Sequence, residues 1–390
     1  MMKASFVLVL VVILSVYLLV NVYVFIRGWQ ALEIGLRYRW IYAVVMPLLA
    51  VSFIGAQFLK RAVDSPVVDF FWLLGSLWLA ALLYVLLSVA LVDLVRLTLR
   101  GFGEKPAILY AHYGITKFVL FCVITGVTGV LLATGYYNAT RPVVNTVDIE
   151  IDKPAAGRNP LTVVMAGDMH LGCINGRRAL QRWVNAINAQ QPDVVLLPGD
   201  VFDDNPAVVA RKKLGDMLAE IKAPLGVYFA PGNHESYGNL PQAVDYLHTH
   251  RVQVLPDTVV LVDDRFYVAG RLDRSSEQHG VKRKPLRELT ADLDREKPVF
   301  LLDHQPAKLE EAVDAGIDLQ VSGHTHRGQL WPFSLLTKRV YELDWGYLRK
   351  GNTHFYVTQG VGTWGPPVRL GTRSEIVRLN VRFTQPTKRD

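Results

Sequence analysis

Leu161-Thr162-Val163-Val164-Met165-Ala166-Gly167-Asp168-Met169-His170 is the stretch that decides the fold of the larger part of this chain. Its apolar opening is too short for a buried helix and has the length of a buried strand. A glycine breaks it, and two residues able to ligate a metal follow at once. Four further runs repeat the design. Residues 193–197 lead to Gly199-Asp200 and then Asp203, and 226–230 lead to Gly232-Asn233-His234-Glu235. Residues 299–302 lead to Asp303-His304, and 319–322 lead to Gly323-His324-Thr325-His326. Helix-like stretches, 178–188 and 207–221, separate the early runs. Short buried strands alternating with helices predict an α/β layered domain. In such sheets sites lie beyond the carboxyl ends of the strands. All five clusters fall there.

The chemistry on offer is narrow. Asp168, His170, Asp200, Asn233, His304, His324 and His326 present carboxylates, imidazoles and a carboxamide, and no thiolate. Such donors suit borderline or hard divalent metals. Seven are too many for one tetrahedral site of about four ligands, so two adjacent metals sharing a carboxylate are expected. Glycines 199, 232 and 323 let the backbone turn sharply beside the ligands. A lone Asp-x-His arises often by chance, and His-x-His alone is only suggestive. Five clusters in this order, each after an apolar run, are a different matter. His112, His248, His250, His279 and His354 match no ligand pattern and read as surface or packing residues.

Upstream, residues 4–26, 40–59, 70–92 and 118–140 contain no charged side chain. Each approaches the ~20 residues that a helix needs to cross a bilayer, and backbone in lipid must be helical. Four transmembrane helices, the last ending near 138, are expected in an anchor spanning 1–140. A lead-in over 141–160, β-rich at 143–151, and a catalytic domain over 161–390 follow. The first run exceeds a signal-peptide core of roughly 7–15 residues and has no small-x-small cleavage pattern after it. Tyrosines aside, no ionisable residue lies inside these windows, so nothing suggests an ion pathway. Gly126 and Gly129 read as helix packing contacts.

Charge is distributed unevenly. Of a formal net charge of +7, ten basic and five acidic residues fall within the first 140. That excess borders the apolar runs and argues against a basic nucleic-acid face on the soluble part. Loops one and three carry Arg27, Arg37, Arg39, Arg96, Arg100, Lys105 and Lys117. The N-terminus, loop two and the exit from the fourth run carry Lys3, Lys60, Arg61 and Arg141. Lys153 and Arg158 stand near or beyond the ~15–20 residues over which the positive-inside bias acts. Seven against four places the N-terminus and the C-terminal domain outside. Cys122 and Cys173 supply neither a disulfide framework nor a metal cluster.

Together the five clusters resemble the calcineurin-like metallophosphoesterases, over about residues 143–381. The tail Gln359-Gly360-Val361-Gly362-Thr363-Trp364-Gly365-Pro366-Pro367-Val368-Arg369, followed by Ser374-Glu375-Ile376-Val377, is similar to a bacterial phosphodiesterase branch whose members are exported or membrane-attached. A relative there cleaves UDP-diacylglucosamine at a membrane surface. The resemblance implies a four-layer α/β/β/α sandwich and a multi-pass protein of the bacterial inner membrane. It implies one metal on Asp168, His170, Asp200 and His326 and a second on Asp200, Asn233, His304 and His324. Mn is the expected metal, with Fe, Zn and Co as the other choices. His234 becomes the general acid, Asp203 sets its tautomer, and Glu235 supports the loop. This chain has Gly167-Asp168-Met169-His170 where relatives have Ser-Asp-Leu-His. It also has Arg327 where they often carry Gly, which draws attention to substrate contacts near Arg327.

The expected function is hydrolysis of a phosphodiester or pyrophosphate bond in a lipid-linked or envelope substrate. A cytoplasm-facing UDP-diacylglucosamine hydrolase and a non-catalytic membrane scaffold or transporter subunit are the alternatives. A protein phosphatase fits less well, because the Arg following its second motif is Asp204 here.

Overall fold

The computed structural model describes residues 4–34, 36–62, 65–103, 112–155, 159–203 and 206–384. Lys3, Lys105, Arg158 and Asp204 lie outside the described residues. The chain divides into two compact units, Met1–Thr134 and Gly135–Asp390.

The first unit is built from four long apolar helices, α1 (Ala4–Ala31), α2 (Leu36–Ala62), α3 (Pro66–Gly101) and α4 (Tyr113–Thr140), the last turn of α4 falling in the second unit. Each is long and apolar enough to cross a membrane. Ser65 caps α3 by accepting from the Val67 amide, and Pro66 starts it without losing a needed donor. At 36 residues, α3 rises about 54 Å at ~1.5 Å per residue, more than a ~30 Å hydrocarbon core. It therefore runs past the charge-free window. Asp93, one residue beyond that window, pairs with Arg27 at 2.5 Å and accepts from the Tyr23 hydroxyl at 2.6 Å.

The close helix contact is not where the sequence suggests. A Cβ at Gly126 or Gly129 would meet nothing within 4 Å, whereas one at Gly75 would lie 2.3 Å from the Phe53 backbone nitrogen. Absence of a side chain at Gly75 lets α3 approach α2, and Phe53 stacks on Trp72 beside it with centroids 4.7 Å apart.

The second unit holds two six-stranded mixed sheets. One has the order β1 (Val143–Ile151), β12 (Glu375–Phe383), β2 (Leu161–Met165), β3 (Val194–Pro198), β4 (Val227–Ala230) and β5 (Val252–Val254). The other runs β10 (Gly346–Lys350), β11 (Thr353–Val357), β9 (Leu319–Ser322), β8 (Val299–Leu302), β7 (Phe266–Gly270) and β6 (Thr258–Val262). β2, β3 and β4 are parallel neighbours, as are β7, β8 and β9. These strands are buried on both faces and so read as continuous apolar runs.

The core explains the layers. Met165, Leu196 and Leu379 of one sheet pack with Phe300 and Val321 of the other in a central cluster. The opposite face of the first sheet is covered by Trp183 and Ile187 from helix Arg177–Ala189. Leu309, Ala312 and Ile317 cover the far face of the second. The architecture is helix, sheet, sheet, helix. The expected helix over 207–221 is broken into Pro206–Arg211 and Gly215–Leu218. Lys213 between them turns left-handed with φ 50°.

Candidate metal centre

Five strands deliver the site. β2 ends before Asp168 and His170, β3 before Asp200, β4 before Asn233 and His234, β8 before His304, and β9 before His324 and His326. Parallel neighbours end together, so their carboxyl-terminal loops face one another. Three glycines make the convergence sterically feasible; at Gly323 a Cβ would be 2.7 Å from Asp168 Oδ2. Gly199 has φ 88° and sits where a Cβ would be 2.2 Å from His304 Nδ1. At Gly232 a Cβ would be 2.1 Å from Asp200 Oδ1.

The seven expected donors gather in two groups. Asp168, His170 and His326 each place one ligand atom within 4.8 Å of the others, as do Asp200, His304 and His324. His170 Nε2 faces His326 Nε2 at 3.0 Å. His304 Nε2 and His324 Nδ1 both meet Asn233 Oδ1, at 3.0 and 2.8 Å. Asp200 Oδ2 lies 3.1 Å from His304 Nε2 and 3.8 Å from His170 Nε2, between the groups. Asp168, His170, Asp200 and His304 are all buried.

Donor chemistry fits two divalent cations. His304 Nδ1 is held by the Pro198 carbonyl at 2.9 Å, which leaves the Nε2 lone pair pointing at the cluster. Two imidazole nitrogens face each other in one group, and two converge on a carboxamide oxygen in the other. Such acceptor-rich convergence is satisfied by a shared cation rather than by hydrogen bonds alone.

Without a cation the same groups divide protons unevenly. Burial pushes the Asp168 carboxyl up, beyond what the neighbouring His304 offsets. Burial acts on Asp200 in the same direction, but His304 beside it holds the carboxyl well below the usual range. His304 is disfavoured as a cation by burial, yet Asp200 raises it well above an ordinary imidazole. Burial, then the His304 charge, brings His324 down to about 4. Burial and the nearby His170 push His326 well below its ordinary value. Opposed shifts among touching groups mark sites of chemistry rather than plain packing.

His234 stands beside this cluster, its ring centroid 4.6 Å from that of His170. Its Nδ1 meets the main-chain carbonyl of Asp203. The Asp203 carboxylate lies 3.6 Å from His170 Nδ1, and His170, Asp203 and His234 form a third group of ligand atoms within 4.8 Å of one another. Side-chain spacing in a sequence cannot reveal a contact made by a main-chain oxygen. Glu235 accepts from the amides of Asp200, Phe202 and Gly232 at 3.1, 2.9 and 2.7 Å. Burial, then Asp200, raises its carboxyl to about 7. Arg327 stacks over Trp345, Cζ 4.1 Å from the ring centroid.

Arg369 went unassigned in the sequence. It is fully buried, and its Nη2 donates to the Gly360 and Gly362 carbonyls at 3.1 and 2.6 Å and faces His326 Nδ1 at 3.2 Å. It closes the tail motif Gln359–Arg369, which is the signal the sequence offers for it. Asp303 accepts from Arg271 at 3.2 Å and from Arg283. Those arginines lie 32 and 20 residues upstream, with no local pattern to announce them.

Two stacked mixed sheets with Asp, His and Asn donors at strand ends define a metal-dependent phosphoesterase. The calcineurin-like phosphoesterase family profile matches residues 161–328. A transmembrane protein with metallophosphoesterase domain from Danio rerio is 31% identical over 321 residues, covering 78% of this chain and 71% of that protein. This chain belongs to the calcineurin-like metallophosphoesterases. An uncharacterised metallophosphoesterase of Campylobacter jejuni is 29% identical over 377 residues, 95% of this chain and 97% of the relative. The crystal structure of a dimetal phosphatase from Danio rerio aligns with TM-score 0.34 and 16% identity, over 54% of this chain and 90% of that one.

Proposed function

We propose that this membrane-associated phosphoesterase hydrolyses a phosphodiester or pyrophosphate bond of a lipid-linked or envelope substrate, using Mn²⁺ best. The observation that carries the reading is the convergence of six Asp and His donors into two groups, with Asn233 meeting His304 and His324 and Asp200 3.8 Å from His170 of the other group. Asp168, His170, Asp200 and His326 would hold one cation, and Asp200, Asn233, His304 and His324 the other. When bound, two such cations supply a nucleophile at neutral pH and charge to offset the phosphoryl oxygens. Everything else falls to the chain.

His234 would protonate the leaving oxygen. With Nδ1–H donating to the Asp203 carbonyl, the protonated ring keeps its transferable proton on Nε2. The Nδ1 proton stays where it is. Glu235 holds three amides of the Asp200 and Gly232 loops and so fixes the Asp200 and His234 loops together. The lipid-linked assignment rests on four apolar helices in the same chain.

A comparison of His234→Ala with His304→Ala tests this. His234→Ala should keep both metals and slow turnover by about 10²–10⁴-fold. The loss should shrink for nitrophenolate, a weakly basic leaving group. His304→Ala should lose metal content, with a defect that does not depend on the leaving group. Metal loss in His234→Ala, or equal defects across the leaving-group series, would overturn the assignment.

A further inference from the structure

Segment 271–287 and residues 308–314 wall a recess of about 610 Å³, whose lining excludes all seven donors of the metal centre. Seven Lys or Arg line it against three Asp or Glu. Mixed charge on a surface is ordinary, but burial sets this recess apart. Arg271 and Arg283 are only 4% and 7% exposed. A guanidinium stays charged when buried, and each of its five N–H groups then needs an acceptor.

Those acceptors run short. Arg271 Nη1 donates to Asp303 Oδ2 at 3.2 Å and to Glu311 Oε2 at 3.0 Å, and Nη2 donates to the Lys284 carbonyl at 3.1 Å. Its Nε has no partner. Arg283 is poorer still: Nη2 donates to Asp303 Oδ2, while Nε and Nη1 have none. Arg274 Nε is also unpartnered. Two buried guanidiniums thus share one buried carboxylate, and unused donors remain on three arginines. The wall is fixed in place by Asp257, which accepts from the Leu272 and Lys284 amides at 2.9 and 2.8 Å.

We propose that this recess is a second, non-catalytic anion site that takes a phosphate-class ligand, either free phosphate or a phosphomonoester headgroup. Several N–H groups on planar forks match a tetrahedral oxyanion better than one acceptor atom would. Exposed Lys282 and Arg287 at the rim raise the local anion concentration. The inference rests on Arg271, Arg274 and Arg283 and is independent of what the metal centre hydrolyses.

The test uses the full chain in zwitterionic nanodiscs, with inorganic phosphate as the probe and Tm as the readout. Because a metal centre also attracts phosphate, the titration is run in the Asp200→Asn background. Phosphate should raise Tm there, and Arg283→Gln should weaken the apparent affinity by about tenfold or more. Should Arg283→Gln fail to fold, the double variant Lys282→Glu with Arg287→Glu leaves the buried arginines in place and should also weaken binding. A second arm adds phosphatidic acid to the nanodiscs. A Tm rise without phosphate, lost in Arg283→Gln, identifies the headgroup as the ligand. Equal Tm in both lipids, with a phosphate response, identifies the free anion. Stabilisation by neither probe, or stabilisation undiminished in the recess variants that fold, would overturn the site.

Discussion

Asp168, His170, Asp200, His324 and His326 have φ of 53°, 46°, 51°, 71° and 46°. Left-handed backbone is uncommon for residues other than glycine. It persists where surrounding structure over-determines it, and it clusters at functional sites. Here it occurs at donors two residues apart on one loop, Asp168 with His170 and His324 with His326. Arg327 shares this conformation, with φ 49°, a backbone that a glycine adopts at no steric cost. The strain is separable from the stacking on Trp345. Arg327→Gly and Arg327→Ala both lose the guanidinium, worth ~0.5–1 kcal/mol at an exposed face, but only the glycine relieves the backbone. Arg327→Gly should therefore be the more stable of the two by about 1 kcal/mol, read from denaturant unfolding. If Arg327 contacts substrate, both should raise KM alike. Equal stability would show that the loop relaxes and that no strain is held there.

Among the elements, β12 does the most to join distant parts of the chain. It lies between β1 and β2, parallel to one and antiparallel to the other, so Val381 pairs with both Ile149 and Leu161. Its first residue, Glu375, is fully buried. The carboxylate accepts from Asn145, Trp345, Gln359 and Thr358 at 2.7, 2.9, 2.9 and 3.0 Å. Leu379 points into the central cluster between the sheets and is completely buried. Leu379→Ala should cost about 2–5 kcal/mol through lost burial and a residual cavity. A loss under ~1 kcal/mol would mean that the two sheets close around the gap. None of this placement is legible in the sequence, because pairing partners some two hundred residues apart leave no local trace. The five ligand-bearing runs were legible for the opposite reason. Each packs a buried strand, a turn and its donors within ten residues, and a period of continuous apolar residues signals burial on both faces. Gly126 and Gly129 carry a small-residue pattern without the close helix contact that Gly75 makes. A small residue marks a crossing only when another backbone lies against it, as Phe53 does at Gly75.

On the scale of the whole molecule, loop charge predicts which side of the membrane the hydrolytic domain occupies. Within the helical unit, the end of α1 and the turn after it, the end of α3 and the start of α4 are tied by ion pairs: Arg27 and Arg96 with Asp93 at 2.5 and 3.5 Å, Lys117 with Glu33 at 2.6 Å. Loops one and three therefore lie at the same end of that unit, as four antiparallel spans require. Pairing with acids does not cancel their topological weight, since the positive-inside bias counts Lys and Arg rather than net charge. A reporter fused after Asp390 should consequently be active as alkaline phosphatase and dark as a fluorescent protein exported unfolded. The bias itself can be removed. Replacing Arg37, Arg39 and Arg100 with Gln turns seven against four into four against four, and should give a mixed population in which both reporters show signal. Unchanged alkaline phosphatase activity in that triple variant would mean that something other than loop charge sets the orientation. A bright fluorescent fusion of the unaltered chain would place the domain in the cytoplasm. The substrates within reach would then be nucleotide-linked lipids such as UDP-diacylglucosamine, and the envelope reading would fall while the phosphoesterase chemistry stood.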